Sequence, residues 1–383
     1  MPPLHEAGGV ASVKKKIPVI AANALCLIAF FACLIASNSI RGTLRSQQAA
    51  RTWAGQSGER FAQLSVFIPD GVTFDAEARH NLRSAIDRAL IAASLEASGE
   101  RTLYTEAWSA VGNTFVGGRR GSWPVQVHGV GGDFFLFHPL RLRDGSYFSP
   151  NDLMRDRVVL DEELAWLLFG SVHVAGLEVT IGDRQHIIAG VVARDDDFAT
   201  RRAYDGGAGM FMSYESLREI AGDGFRIDSY MMVLPDPITG FARDILTEAF
   251  PASDAHIVEN SARYSLSNTF SNIRSFGQRS VRTDGMIYPY WENAARITED
   301  WLALLLVMTL AFIVCPAVFG VIYGVKLIRY LLKRGKGTFA KMRDERADRE
   351  AEKYLINNIS QSVAYNVDDI IREVKQEEKQ EIK

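Results

Sequence analysis

Two long uncharged apolar blocks constrain this chain more than any other feature of its sequence. They run from Ile17 to Ser37 and from Trp301 to Val325, and neither contains Lys, Arg, Asp or Glu. Each exceeds the roughly 20 residues that a helix rising about 1.5 Å per residue needs to cross a hydrocarbon core of about 30 Å. We therefore predict transmembrane helices at 17–37 and 301–330, with one large segment at 38–300 between them.

The charges that flank the two blocks set their predicted orientation. Lys14, Lys15 and Lys16 precede the first block. Basic residues without an intervening acid follow the second: Lys326, Arg329, Lys333, Arg334, Lys336, Lys341 and Arg343. Because cytoplasmic ends of spans carry an excess of Lys and Arg, we expect 1–16 and 331–383 in the cytoplasm and 38–300 outside it.

A cleaved secretory signal is the alternative for the first block, since it also pairs a basic start with an apolar stretch. The apolar run here is longer than the roughly 7–15 residues of a signal core, and no Ala-x-Ala precedes a plausible cleavage point. Cys33 lies near a lipoprotein-like position, but the residues before it match that motif poorly. A retained span is therefore the prediction.

Composition limits how the external segment can fold. The three cysteines, Cys26, Cys33 and Cys315, all lie in the predicted spans, so the external segment has neither a disulfide nor a thiolate nucleophile. It must fold by burying an apolar core, which a segment of this length can do. The formal net charge of −3 gives no overall basic excess, and we do not expect nucleic acid as a partner.

The pattern of the external segment predicts a membrane-anchored α+β fold, with a two-lobed extracytoplasmic domain built from β-α-β units between the two transmembrane helices. Helical stalks are expected at 38–60 and 264–300. Strands are expected at 64–68, 103–111, 125–130, 157–160, 177–181, 186–193, 210–212 and 229–234, and helices at 75–97, 161–169, 213–221 and 239–250. Asp161 is the expected N-cap of its helix and Gly170 the expected stop.

The last helix is expected to start near Pro289 and to continue through the second span, with a kink at Pro316. Beyond Arg343 the tail is highly charged, and apolar residues recur every three or four positions: Leu355, Ile359, Val363, Val367, Ile370 or Ile371, and Val374. This predicts an amphipathic cytoplasmic helix. Such a helix can bind a partner, rest on the membrane surface or fray in water.

Motifs for chemistry are absent from the sequence. Arg334-Gly335-Lys336-Gly337-Thr338 lacks the first glycine and the preceding strand of a phosphate-binding loop. His128, His138, His173 and His186 are scattered and expected to be structural. The run at 195–197 contains three Asp but lacks calcium-loop spacing, so a solvated loop is expected. We therefore predict no enzyme activity, catalytic residue, metal site or cofactor.

Small residues in the two spans are the only interaction positions that the sequence singles out. Gly320 and Gly324 form a G-x-x-x-G in the second span, and Ala29, Ala32 and Ala36 form a small-residue face on the first. Such positions permit close helix packing, either between the two spans or with partner helices. The basic run after Val325 is expected to anchor topology and contact lipid headgroups.

Residues 126–193 carry a series of short motifs whose order and spacing resemble a known family. They are Gln126–Val130, Asp133–Phe135, Gly145–Phe148, Arg157–Ala165, Leu168–Gly170, Val179–Gly182 and Ile188–Val191. This series resembles the MacB-like periplasmic core domain of bacterial ABC transporter permeases, in the FtsX-like group. Met210–Pro235 continues the likeness, and Pro289–Arg296 resembles the segment before a span in some Gram-positive homologues.

The resemblance implies a two-lobed external domain on long helices that relay the motion of a cytoplasmic ATPase, in the bacterial inner membrane and without chemistry of its own. A typical member has three spans after this domain, whereas one is predicted here. The expected partners are therefore an ABC ATPase, a second permease chain and membrane lipids. The alternatives are a sensor or adaptor that signals across the membrane and, as the weakest, a membrane-anchored hydrolase.

Overall fold

The computed structural model describes residues 7–96, 102–204, 209–222, 224–276 and 288–381. The helices are α1 (Ala7–Thr43), α2 (Ala49–Ala54), α3 (Ala76–Ala92), α4 (Phe134–Phe137), α5 (Glu162–Phe169), α6 (Phe198–Ala203), α7 (Tyr214–Ala221), α8 (Phe241–Ala249), α9 (Leu266–Asn272) and α10 (Tyr290–Glu381). The strands are β1 (Phe61–Phe67), β2 (Thr105–Gly118), β3 (Gly121–Gly132), β4 (Arg141–Gly145), β5 (Arg157–Asp161), β6 (Glu178–Ile181), β7 (Arg184–Ala193), β8 (Gly209–Ser213), β9 (Ser229–Pro235) and β10 (His256–Glu259).

All ten of these strands join one mixed sheet in the order β10-β1-β9-β2-β3-β8-β5-β7-β4, with β6 pairing to β2 and β7. The pairs β3–β8 and β5–β7 are parallel, and the others are antiparallel. The mixed α+β class predicted from the sequence is confirmed.

One end of the sheet consists of two interleaved split β-α-β units. The unit β1-α3-β2 encloses β9, and the unit β9-α8-β10 encloses β1, which gives the order β10-β1-β9-β2. Helix α3 starts at its N-cap Asp75, whose carboxylate accepts the Ala78 N–H. It buries Leu82, Ile86 and Leu90, the face that its spacing predicts. These side chains and those of α8 cover one face of the strands.

The other end of the sheet carries a second core, built on β3, β5, β7 and β8 and covered by α5 and α7. Asp161 caps α5 by accepting the Leu164 N–H, and Gly170 ends the helix in the left-handed conformation, both as predicted. A glycine suits this position because its φ of +74° is one that residues with a Cβ rarely adopt.

The opposite face of the same sheet carries a third core. Along β9, Met232 faces the first core while Met231 and Val233 face this one, because successive strand side chains alternate. The second face is covered by α2, α4 and the start of α10, including Trp291. The long C-terminal helix is thereby packed directly on the sheet.

The residues expected to form stalks are instead part of the folded domain. Helix α1 ends at Thr43, a short 3-10 turn follows at Arg45–Gln47, and α2 packs Ala49 and Ala50 into the third core. The helix expected to continue outward from the first span is therefore interrupted after Thr43. At the interruption, the Gln63 side chain of β1 donates to the Ser46 carbonyl and accepts the Ala49 N–H. Residues 277–287 of the expected 264–300 stalk lie outside the described part of the chain.

Several short elements escape prediction from the sequence. Strands β4 and β10 and helices α4 and α6 are too brief for a periodic signal, and tertiary contacts fix them. The predicted β1-helix-β2 unit exists, but its strands are separated by β9 rather than adjacent.

Two helices are long and apolar enough to cross a bilayer, at Ile17–Thr43 and Tyr290–Lys333. Helix α10 begins after Pro289, whose carbonyl accepts the Glu292 and Asn293 N–H groups, and it continues without interruption through Pro316. By contacts, Ile28–Ala311 forms one compact unit that contains the whole sheet, and the remaining residues of α1 and α10 form another.

Candidate functional site: the root of the long helix

The first turns of α10 are enclosed by the folded domain. From Trp291 to Asp300 every residue except Asn293 is buried, although this stretch includes two Glu, an Arg and an Asp. Trp301 is 41% exposed, but Leu302 and Ala303 beside it are still buried, at 2% and 1%. Residues 290–300 are therefore the anchored root of α10 rather than a solvated stalk.

A buried ionic cluster fixes this root to the segment that follows β10. Arg263 donates from Nη1 and Nη2 to the two carboxylate oxygens of Glu292 at 2.7 Å each, and from Nε to Glu299 at 2.6 Å. Arg296 donates from Nε to Glu292 at 2.7 Å. All four side chains are less than about a tenth exposed. Two positive and two negative charges balance, which a dry cluster requires.

Arg263 is the centre of this cluster. Burial alone lowers the pKa of a guanidinium, but Glu292 and Glu299 reverse this and hold the pKa of Arg263 above its ordinary value. A bidentate guanidinium–carboxylate pair also fixes orientation as well as distance. Rotation of α10 about its axis therefore requires this pair to break.

The cluster continues into the sheet through neutral hydrogen bonds. Asn260 donates from its side chain to Ser65 Oγ at 2.7 Å, and its backbone N–H donates to the Gln63 carbonyl at 2.8 Å. Gln63 in turn holds the segment after α1. Strand β1 is thus bonded to the residues at the roots of both long helices.

An aromatic cluster holds the other side of the root. Trp291 lies 5.4 Å from His128 and 4.4 Å from His138, ring centre to ring centre, and Phe134 lies 5.7 Å away. Burial lowers the pKa of His128 to about 4 and that of His138 to about 3. Both rings are consequently neutral at pH 7, and His138 Nε2 contacts the Met231 sulfur.

A second polar chain reaches the root from the far end of the sheet. Asp161 accepts from Arg194 Nε at 2.9 Å and from the Gly209 N–H at 2.7 Å. The Arg194 guanidinium stacks on Tyr204 at 4.2 Å, and the Tyr204 ring lies 4.7 Å from that of Tyr290. The N-cap predicted from sequence is therefore also a link between α5 and α10.

The remaining histidines and the acidic run have structural surroundings. His186 is buried, and His173 is an exposed neighbour of Asp144. Asp197 is the N-cap of α6, accepting the Ala199 and Thr200 N–H groups at 3.0 Å each. Within the described ranges, no group of three or more His, Cys, Asp or Glu gathers as a metal site requires. The run predicted as a solvated loop thus ends in a helix cap.

The small residues singled out in the spans lie away from the root. A Cβ added at Gly320 or Gly324 would meet no atom of the described chain within 4 Å. On α1, Ala29 and Ala36 are half-buried and Ala32 is exposed. Their role in helix packing stays a prediction.

The ionic cluster is the functional feature that sequence reasoning missed. Glu292, Arg296 and Glu299 recur at helical spacing just before an uncharged span, and that pattern could have indicated a buried face. Nothing in the sequence pairs them with Arg263, which lies 29 residues before Glu292.

A cleft of about 960 Å³ lies at the edge of the domain, between α3 and the loop after β4. In it the Arg79 guanidinium stacks on Trp108 at 3.6 Å. The indole Nε1 of Trp108 is buried and has no hydrogen-bond partner among the described residues. The other face of this indole packs against Gly131, where a Cβ would lie 2.3 Å from the ring.

Comparison with known proteins identifies the family of the domain. The family described as "MacB-like periplasmic core domain" matches residues 20–242. Two similar solved structures are the periplasmic region of MacB from Actinobacillus actinomycetemcomitans (18% identity, 55% of this chain, 92% of that chain, TM-score 0.38) and the extracellular domain of the noncanonic ABC-type transporter YknZ from Gram-positive bacteria (14%, 51%, 99%, 0.35). No curated protein matches.

Proposed function

Because this chain belongs to the MacB-like periplasmic core domain family, we propose that it is a non-catalytic, ABC transporter permease-like subunit whose external domain is coupled through its helices to a partner ATPase. The resemblance to FtsX-like permeases seen in the sequence supports the same class. The proposed location is the bacterial inner membrane, with both termini in the cytoplasm.

One observation carries the coupling proposal: the buried bidentate pair between Arg263 and Glu292 at the root of α10. A helix that only anchors a domain needs no fixed rotation, whereas one that relays movement must turn with the domain. The ionic and aromatic clusters hold this root from two sides, and the helix continues into a candidate span. A displacement of the span therefore moves the sheet with it.

The partner requirement follows from the number of spans. Two candidate spans are present in the described chain, fewer than a typical permease of the family offers. We therefore propose a second permease chain beside the ATPase, with Gly320 and Gly324 at the contact, since no atom of the described residues lies within 4 Å of a Cβ added at either glycine.

Co-purification of the full chain tests both partners. The tagged chain, extracted in mild detergent, is expected to recover an ABC ATPase together with a second permease. The Gly320→Leu/Gly324→Leu chain is expected to recover less of both. Absence of any ATPase, under conditions that preserve other ABC complexes, contradicts the transporter proposal.

The cleft favours the second candidate function, a sensor or adaptor that signals across the membrane. It is a concave space of about 960 Å³ that combines aromatic side chains with charged groups of both signs, as a small-molecule binding site does. A neighbouring gene for a regulator or cell-wall hydrolase, instead of an ATPase, would favour this function. In that case co-purification recovers the regulator or hydrolase and no ATPase.

A further inference from the structure

Four exposed apolar side chains near the root of α10 form what is called the rim here: Phe198 on α6, Leu266 and Phe270 on α9, and Trp301 on α10. Phe198 begins α6 and is 49% exposed, and its ring lies 5.2 Å from that of Trp301. Helix α9 exposes Leu266 and Phe270, at 67% and 59%, one helical turn apart. Isolated exposed apolar residues are ordinary, but aromatic and aliphatic groups beside a span require a reason.

One rim residue, Phe198, contacts the start of the uncharged part of α10. The uncharged block begins at Trp301, whose ring lies beside that of Phe198, while Leu302 and Ala303 on the same helix are buried. Phe198 therefore lies beside the first residue that the sequence assigns to the bilayer. Trp is enriched at that depth, where its ring is apolar and its N–H can reach water.

Helix α1 leaves its uncharged stretch at the same height. Leu44 packs in one cluster with Ile297, and Ala199 and Ala203 of α6 join them. Trp301 lies one turn beyond Ile297, and Ile40 lies one turn before Leu44 on the incoming helix, directly before Arg41. Both helices thus change from apolar to charged next to α6.

Exposed basic side chains accompany the apolar rim. Arg201 and Arg202 lie on α6, and Arg274 follows α9, and all three are exposed. Guanidinium groups just above buried apolar side chains can reach lipid phosphates, as in helices that lie in a membrane interface. Exposed apolar residues near the start of the predicted span, with exposed cations on or next to the same short helices, match a lipid surface better than a protein partner.

We propose that this rim, formed by Phe198, Leu266, Phe270 and Trp301, rests in the outer leaflet of the membrane and contacts anionic phospholipid headgroups through Arg201, Arg202 and Arg274. The domain is then seated on the bilayer without a free stalk. This inference does not depend on an ATPase partner.

The test places a fluorescent bimane label at single cysteines in the full chain, with Cys26, Cys33 and Cys315 replaced by Ala. Phe198→Cys and Phe270→Cys report on the rim. Phe115→Cys and Ile238→Cys are the controls, because these side chains are also strongly exposed, at 65% and 75%, and lie outside the rim. The purified chain is reconstituted alone in vesicles of phosphatidylcholine and phosphatidylglycerol, with lipids brominated near the glycerol end of the acyl chains.

Labels at 198 and 270 are expected to be quenched several-fold more than labels at 115 and 238. A smaller difference in quenching between the rim labels and the control labels in vesicles of phosphatidylcholine alone supports the role of the arginines. Equal quenching at all four positions overturns the proposal. It is also overturned if the rim labels remain open to a water-soluble quencher until a cell extract is added, because the rim is then a protein-binding surface.

Discussion

The roots of the two long helices are held to the folded domain by different chemistry. Helix α1 ends at Thr43, and the chain beyond it is held by neutral hydrogen bonds from Gln63 to Ser46 and Ala49. Helix α10 is held by two arginines and two glutamates in a dry cluster. Neutral bonds tolerate a break in the helix, whereas a bidentate charged pair fixes its rotation. We infer that α10 is the rigid transmitter and that α1 can hinge near Leu44.

Replacing Arg263, the centre of the ionic cluster, is expected to have the largest effect on stability. Arg263→Met leaves Glu292 and Glu299 buried without their bidentate cation, so the free energy of unfolding is expected to fall by about 3–5 kcal/mol. Chemical denaturation of the full chain in detergent measures it. Arg184→Met is the matched control, because its pair with Glu219 is exposed to solvent and is expected to contribute little to stability. Similar losses in the two variants would contradict a buried, essential cluster.

The root of α1 is expected to be less sensitive. Gln63→Leu leaves the Ala49 N–H and the Ser46 carbonyl without partners, which costs about 2 kcal/mol in the same measurement. Gln126→Leu, at an exposed position of β3, is the control and is expected to change stability very little. If Gln63→Leu costs as much as Arg263→Met, the two roots do not differ in strength.

Lowering the pH is expected to destabilise the protein through the two histidines of the aromatic cluster at the α10 root. His128 and His138 have pKa values of about 4 and about 3 in the folded protein, below the unfolded value of about 6.5. The unfolded chain therefore binds more protons, and stability is lost as pH falls from 6.5 towards these values. At one unit below the unfolded pKa the loss is about 1 kcal/mol per histidine.

Unfolding measured over this pH range in the wild type and His128→Leu checks this expectation. The substitution should remove roughly half of the slope, since one neutral buried imidazole of the two remains. An unchanged slope in His128→Leu would show that other groups set the acid response.

The smallest effect on stability is expected far from both roots. A Cβ added at Gly320 meets no atom of the described residues within 4 Å, so we expect Gly320→Leu to leave unfolding of the isolated chain unchanged within about 0.5 kcal/mol. Recovery of a partner membrane chain should nevertheless decrease. Loss of stability in the isolated chain would instead place these glycines in a contact within it.

Local signals made most elements of the fold predictable. Three features that depend only on neighbouring residues lie where the sequence places them. They are the alternating burial in β6 and β7, the apolar face of α3, and the N-cap Asp161 and terminal Gly170 of α5. The candidate site was not predictable in the same way. Arg263, Glu292 and Glu299 meet only because β10 pairs with β1 and α10 packs across the sheet.

The sequence alone determined the two uncharged spans, the basic flanks and the family, because these depend on composition and on the order of short motifs. Tertiary structure alone decided the insertion of β9 between β1 and β2, and the enclosure of 291–300. The charges in that stretch predict a solvated stalk when counted in sequence. Glu292 and Glu299 are buried because Arg263 reaches both of them from across the fold, and only the folded chain supplies that partner.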